Sequence, residues 1–96
     1  MNTKIIRKHF FFKGRVQGVG FRYRAQNAAS LYSVTGWVKN LYDGSVEMEV
    51  QGAPANILSH LEALHASYER MGIRFRLEDA QIRAALTSED GFNPRY

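Results

Sequence analysis

The tightest constraint on the fold lies in residues 45–52, "SVEMEVQG", where Val46, Met48 and Val50 alternate with Glu47, Glu49 and Gln51. Successive side chains on a strand point to opposite faces, so this segment is a strand with one buried face and one wet or lightly covered face. Immediately before it stands "LYDG", whose Asp43-Gly44 pair is a strong hairpin signal. The preceding residues 34–40, "VTGWVKN", are then the other arm of the hairpin.

The remaining segments fall into place around this hairpin. Residues 4–12, "KIIRKHFFF", combine branched and aromatic side chains and read as a strand, with Phe10 and Phe12 on one face and His9 and Phe11 on the other. After a glycine-rich loop the period changes. Phe21, Ala25, Ala28, Ala29 and Tyr32 lie on one face of a helix. A second helix covers "APANILSHLEALHASYERMG", with Pro54 in its first turn, Ile57, Leu61, Leu64 and Tyr68 as its stripe, Leu58 beside it, and Gly72 as its stop. Residues 73–84 hold a further strand whose register the pattern does not define. Ile73, Phe75 and Leu77 alternate in one phase, Ile82 and Ala84 in the other. Pro94 in the closing "GFNPRY" suits only an edge strand or an irregular tail.

The order is β-α-β-β-α-β, with room for a short fifth strand at the end. This implies an α+β ferredoxin-like sandwich, an antiparallel sheet with both helices on one face. A chain of 96 residues with 45% apolar content is expected to form a single domain over residues 1–96. It holds no cysteine, which excludes disulfides and cysteine-based metal sites. Arg7, Lys8 and His9 interrupt the N-terminal apolar residues, so no signal-peptide core forms and no segment spans a membrane. Cytoplasmic location is the expectation. The net charge of +4 favours anionic partners without distinguishing among them.

Charge and glycine meet in "KGRVQGVGFRYR", Lys13 to Arg24, between the first strand and the first helix. Glycines allow successive backbone N–H groups to converge on an anion, and the helix start adds free N–H groups and partial positive charge. Arg22 and Arg24 lie in the first helical turn, where the macrodipole opposes cations by about 0.3–1 kcal/mol each. A bound oxyanion would reverse that cost, and a charge-assisted contact contributes about 1.5–3 kcal/mol. Taken alone, the loop chemistry is equally that of a solvated loop with arginines reaching water. The spacing of the glycines at 14, 18 and 20 is neither a Walker motif nor a dinucleotide fingerprint.

Two segments resemble the acylphosphatase family: "GRVQGVGFR", residues 14–22, its phosphate-loop motif, and "GWVKNLYDGSVEMEVQG", residues 36–52, its second motif. The ending "GF…RY" agrees more loosely. The resemblance implies the ferredoxin-like fold and hydrolysis of the carboxyl–phosphate bond of small-molecule acylphosphates, with inorganic phosphate as a product. By motif position Arg22 corresponds to the phosphate-binding arginine and Asn40 to the asparagine that orients the attacking water. The backbone of Arg15, Val16, Gln17, Gly18, Val19 and Gly20 corresponds to the phosphate cradle. The chain departs from the pattern at Phe12, where an aliphatic residue is usual, at Met71-Gly72, where a Gly-Pro connection is common, and at Pro94, which replaces a β-branched type of residue.

The implied chemistry suits these residues. An acylphosphate carries a good leaving group, so phosphoryl transfer depends on positioning and charge stabilisation. A neutral amide both donates to and accepts from water, and so aims it without acting as a base. The substrate's own phosphate oxygen can take the proton, as is proposed for the family, and neither metal nor cofactor enters the scheme. On its own Asn40 also reads as a turn residue, and Asp43 and Gly44 read as hairpin chemistry. His9, His60 and His65 lack metal-ligand spacing and read as surface or satisfied histidines. Glu47 and Glu49 read as a solvated strand face, Arg74 and Arg76 as an exposed one. Ser30 and Ser33 have no histidine partner in any recognisable arrangement.

The competing class is a nucleic-acid binder, suggested by the positive charge and by Phe10, Phe11, Phe12 and Trp37. No RNA-recognition aromatic motif occurs, and those rings read as packing. The same module also occurs in larger proteins that mature hydrogenases and handle carbamoyl phosphate. Here a monomer acting on a small molecule is expected, with no membrane or nucleic-acid partner.

Overall fold

The computed structural model of the protein describes residues 4–14, 20–73 and 75–95. Its elements are β1 (Ile6–Gly14), α1 (Phe21–Tyr32), β2 (Thr35–Asn40), β3 (Val46–Gly52), α2 (Pro54–Glu69), β4 (Phe75–Arg83) and β5 (Phe92–Arg95). The strands form one sheet in the order β4-β1-β3-β2-β5. Four strands are mutually antiparallel, as expected for the ferredoxin-like sandwich, and β5 adds a parallel pairing to β2 at the edge. The sheet is therefore mixed rather than purely antiparallel.

The alternation at 46–52 does what its period requires. Val46, Met48 and Val50 are fully buried, and Phe10, Phe12 and Val38 join them on the helix-covered face. Phe21, Ala25, Ala28 and Ala29 of α1 are buried, and the small alanines let that helix lie close to its neighbours. Ser33 ends α1 in the left-handed region at φ 55°, and its N–H donates to the Ala29 carbonyl. Phe12, the unusual aromatic before the loop, is wholly buried, with ring centroids 5.5 Å from both Phe21 and Phe75.

In α2 the buried residues are Ile57, His60, Leu64 and Tyr68, with Leu61 partly buried. Leu58, placed beside the stripe by its spacing, is instead 56% exposed. His60 is a satisfied core histidine. Its Nε2 lies 2.9 Å from the Ala25 carbonyl, which only accepts, so Nε2 carries the proton. Burial pushes its pKa down.

The second face of the sheet corrects one expectation. Glu47 and Glu49 are half-buried rather than solvated. Arg7 is 1% exposed and donates to Glu49, to both carboxylate oxygens of Glu89 at 2.7 and 3.0 Å, and to Gln51 at 3.3 Å. His9, also buried, holds the Glu49 carboxylate at Nδ1, and its Nε2 lies 2.8 Å from Glu47. The segment between β4 and β5 has to cross from one sheet edge to the other, and it passes over this face. Gln51 and the Leu86 backbone exchange hydrogen bonds of 2.7 and 2.8 Å, which fasten the crossing. Charged strand residues are thus covered because the chain needs that route.

Candidate active site

Register places Asn40 level with the end of β1. Val46 of β3 has Phe12 of β1 on one side and Asn40 of β2 on the other. Directly opposed residues share a face, so Asn40 faces the helices, level with the end of β1 and about 10 Å from it across two strand spacings. The helix α1 begins after the loop that leaves the same end of β1. Gly20, in the left-handed region at φ 75°, caps α1, and its carbonyl accepts from Arg24 N–H at 2.9 Å. The first turn of α1 has neither a side-chain cap hydrogen bond nor an acidic residue of its own. Arg22 is half-buried in that first turn. Arg15, Val16, Gln17, Gly18 and Val19 lie outside the described residues.

Asn40 is the last residue of β2, half-buried, and its Oδ1 is buried without a hydrogen-bond partner. The turn that follows is held without it. Leu41 N–H donates to the Ser45 carbonyl at 2.9 Å and Gly44 N–H to Leu41 at 3.2 Å. The Asp43 carboxylate accepts from the Ser45 amide at 2.9 Å and from its hydroxyl. The Ser45 hydroxyl, then its amide, hold the Asp43 carboxyl below the usual carboxylate range. Hairpin closure thus rests on Asp43 and Gly44, as their sequence pattern implies, and leaves the Asn40 amide oxygen uncommitted.

The other cations divide. Arg24 turns to α2, with Nη1 on Ser67 Oγ at 2.7 Å, Nη2 on Met71 Sδ at 3.5 Å, and its guanidinium 5.4 Å from the Tyr68 ring centroid. It is structural. Lys13 of β1 stands opposite Arg76 of β4, both exposed, and with Gly14 and the Asp43–Ser45 turn they line a cavity of about 320 Å³. Nothing in the sequence pattern pairs residues this far apart, because the register of the fourth strand is not legible there. Arg74 lies outside the described residues. Among the described residues no three His, Asp or Glu side chains group to hold a metal ion, and no helix is long and apolar enough to cross a membrane. Phe10, Phe12 and Trp37 are buried, and Phe11 is half-buried with its ring against His9.

The fold defines the class: a ferredoxin-like α+β domain, with Asn40 at the end of β2 and Arg22 in the first turn of α1. The acylphosphatase family model matches residues 8–93. An acylphosphatase of Geobacillus kaustophilus (strain HTA426) is 52% identical over 79 residues, covering 81% of this chain and 84% of that protein. The crystal structure of acylphosphatase from Bacillus subtilis aligns with a TM-score of 0.73 at 30% identity, over 95% of this chain and 99% of that one. The crystal structure of HypF from T. kodakarensis aligns with a TM-score of 0.78 at 26% identity, over 95% of this chain and 12% of that one. The chain belongs to the acylphosphatase family, hydrolases that split the carboxyl–phosphate anhydride of acylphosphates into carboxylate and phosphate.

Proposed function

We propose that hydrolysis is carried by Arg22, Asn40 and the loop backbone from Arg15 to Gly20. Arg22 and the amides of Arg15, Val16, Gln17, Gly18, Val19 and Gly20 hold the phosphoryl oxygens as charge develops on them. Asn40 aims a water at phosphorus. The water oxygen bonds to phosphorus as the bond from phosphorus to the acyl oxygen breaks. The carboxylate leaves, and the water proton passes to a phosphoryl oxygen. No metal or cofactor enters the scheme. The chain is read as one domain over residues 1–96, working as a monomer in the cytoplasm.

The observation that carries this reading is the buried, unpartnered Oδ1 of Asn40 at the end of β2. Leaving a buried acceptor unmet costs about 1–3 kcal/mol. A water O–H donor at that oxygen removes the cost and is held by the same contact. The test is hydrolysis of benzoyl phosphate in the presence of EDTA. Arg22→Ala and Asn40→Ala are each expected to lower kcat by about 10²–10³. Full turnover in both variants overturns the assignment of these residues.

A further inference from the structure

We infer that Arg24 is a positioning residue for the phosphoryl site: its grip on α2 sets where the first turn of α1 holds Arg22. The inference rests on the proposed role of Arg22 and deepens it. Arg24 lies outside both sequence motifs, and its contacts with α2 are structural in kind. Their consequence falls on Arg22, two residues away in the same turn.

At about 3.6 residues per turn, positions 21 and 24 share one side of a helix, and position 22 stands about 160° around the axis from position 24. Phe21 and Arg24 both meet Tyr68 of α2. The Phe21 ring stacks on the Tyr68 ring with centroids 5.8 Å apart, and the Arg24 guanidinium carbon lies 5.4 Å from the same centroid. Arg24 adds Nη1 to Ser67 Oγ at 2.7 Å and Nη2 to Met71 Sδ at 3.5 Å. The side of the turn that carries Phe21 and Arg24 is thus fastened to α2, and the position of Arg22 is turned away from α2. Arg24 also closes the turn itself. Its N–H donates at 2.9 Å to the carbonyl of Gly20, the last residue of the proposed phosphate cradle.

The helix start needs such a tie, because no side chain makes a capping hydrogen bond there. Phe21 is held by rings, with centroids 5.5 Å from Phe12 and 5.3 Å from Phe75. Apolar burial is non-directional, whereas a hydrogen bond from a planar guanidinium has a required angle. Phe21 therefore holds the turn down, and Arg24 fixes it along and about its axis. Catalysis by positioning is steep in geometry, and a displacement of about 1 Å can lower a rate by about 10²-fold. Releasing Arg24 lets the turn shift by a fraction of that, so a loss of about tenfold is expected. The loss falls on kcat more than on KM, since the contacts of Arg22 strengthen as charge develops on the phosphoryl oxygens.

The experiment measures benzoyl phosphate hydrolysis in the wild type, Arg24→Met, Arg24→Lys, Ser67→Ala and the double variant Arg24→Met/Ser67→Ala. Arg24→Met is expected to lower kcat about tenfold with KM within about twofold. Arg24→Lys keeps the charge without the fork, and a loss of about threefold is expected. Ser67→Ala removes no charge, and a similar loss of about threefold is expected. The double variant is expected to match Arg24→Met, because the two residues act through one contact. Arg7→Met, which weakens the fold elsewhere, is expected to keep wild-type kcat per folded molecule. Wild-type kcat in Arg24→Met overturns the inference, and so do losses that multiply in the double variant. Full recovery in Arg24→Lys with Ser67→Ala unaffected also overturns it, because Arg24 would then act by charge alone. An equal loss in Arg7→Met overturns it as general destabilisation. If Arg24→Met does not fold, wild-type kcat in both Arg24→Lys and Ser67→Ala is the overturning result. Failure of the parent reading is seen separately, as full benzoyl phosphate turnover in Arg22→Ala.

Discussion

Replacing Arg7 by Met tests whether the covered polar face of the sheet is held by charge. The guanidinium is 1% exposed, whereas the side chains of Glu49 and Glu89 keep 15% and 12% of their surface. Burial alone disfavours each charge. The hydrogen bonds that Arg7 donates to Glu89 and Glu49 more than offset this and raise its pKa. Both carboxylates are correspondingly held low, Glu49 by His9 and Arg7, Glu89 by Arg7 and Thr35. Removing one partner of a buried pair costs about 3–5 kcal/mol because the other charge is left unpaired. Here two carboxylates are stranded but water reaches both, so a loss of about 2–3 kcal/mol is expected. For a domain of this size that is a fall in Tm of about 10–20 °C. The double variant Arg7→Met/Glu89→Gln strands one carboxylate fewer and is expected to recover about half of the loss.

The pH dependence of the gap separates a charge effect from a packing effect. Glu49 and Glu89 titrate lower in the folded protein than their ordinary value of 4.5. Their contribution is therefore complete above that value and is lost as pH falls through the folded values. In Arg7→Met the guanidinium no longer opposes burial, so acid protonates the stranded carboxylates and relieves them. The stability gap between wild type and Arg7→Met is expected to narrow from about pH 7 to about pH 4, read by urea unfolding. A gap that stays constant across this range, or one below about 0.5 kcal/mol at neutral pH, refutes the charge argument.

Gly36→Ala is expected to cost about 3 kcal/mol or more in urea unfolding, because a Cβ would stand 1.9 Å from the Glu49 carbonyl oxygen at φ 146°. A loss under about 1 kcal/mol would show that the strands part easily there. His60 titrates below its ordinary 6.5 because it is buried, so its contribution is complete above that value and declines as pH falls through the folded value. Unfolding of His60→Gln is expected to lack this decline, and an unchanged slope refutes it. Asn40→Ala is expected to leave stability equal or higher by up to about 1 kcal/mol, since it deletes an unmet acceptor, while turnover falls. A clear loss of stability would make Asn40 structural.

The parts of the fold that were legible are those where one period runs unbroken. The 46–52 alternation and the Phe21, Ala25, Ala28, Ala29 face each map directly onto a buried surface. The fourth strand was not legible because its period breaks. Phe12 pairs with Leu77 and Phe11 with Asp79, so Glu78 is an extra residue in a bulge. The bulge shifts the phase by one, which brings Leu77 before it and Ala80 and Ile82 after it to the same face. A pattern reader sees two conflicting strands where the chain has one. Arg7 and Glu89, 82 residues apart, are equally silent in sequence, because the pairing depends on the chain's route back across the sheet.

The same route explains why Pro94 fits. A strand outermost in the sheet has a ladder on one side alone, and proline lacks only the N–H that would serve a ladder. β5 is that outermost strand, and Pro94 stands opposite Val38 of β2. Reaching this edge from β4 obliges residues 84–91 to cross the face that carries Arg7, His9, Glu47 and Glu49. Once crossed, that face loses water, so its charged side chains pair with one another, Arg7 with Glu49 and Glu89. The proline edge and the buried arginine are therefore two consequences of one connection. Arg7, near the start of β1, lies at the opposite end of the sheet from Asn40, the last residue of β2.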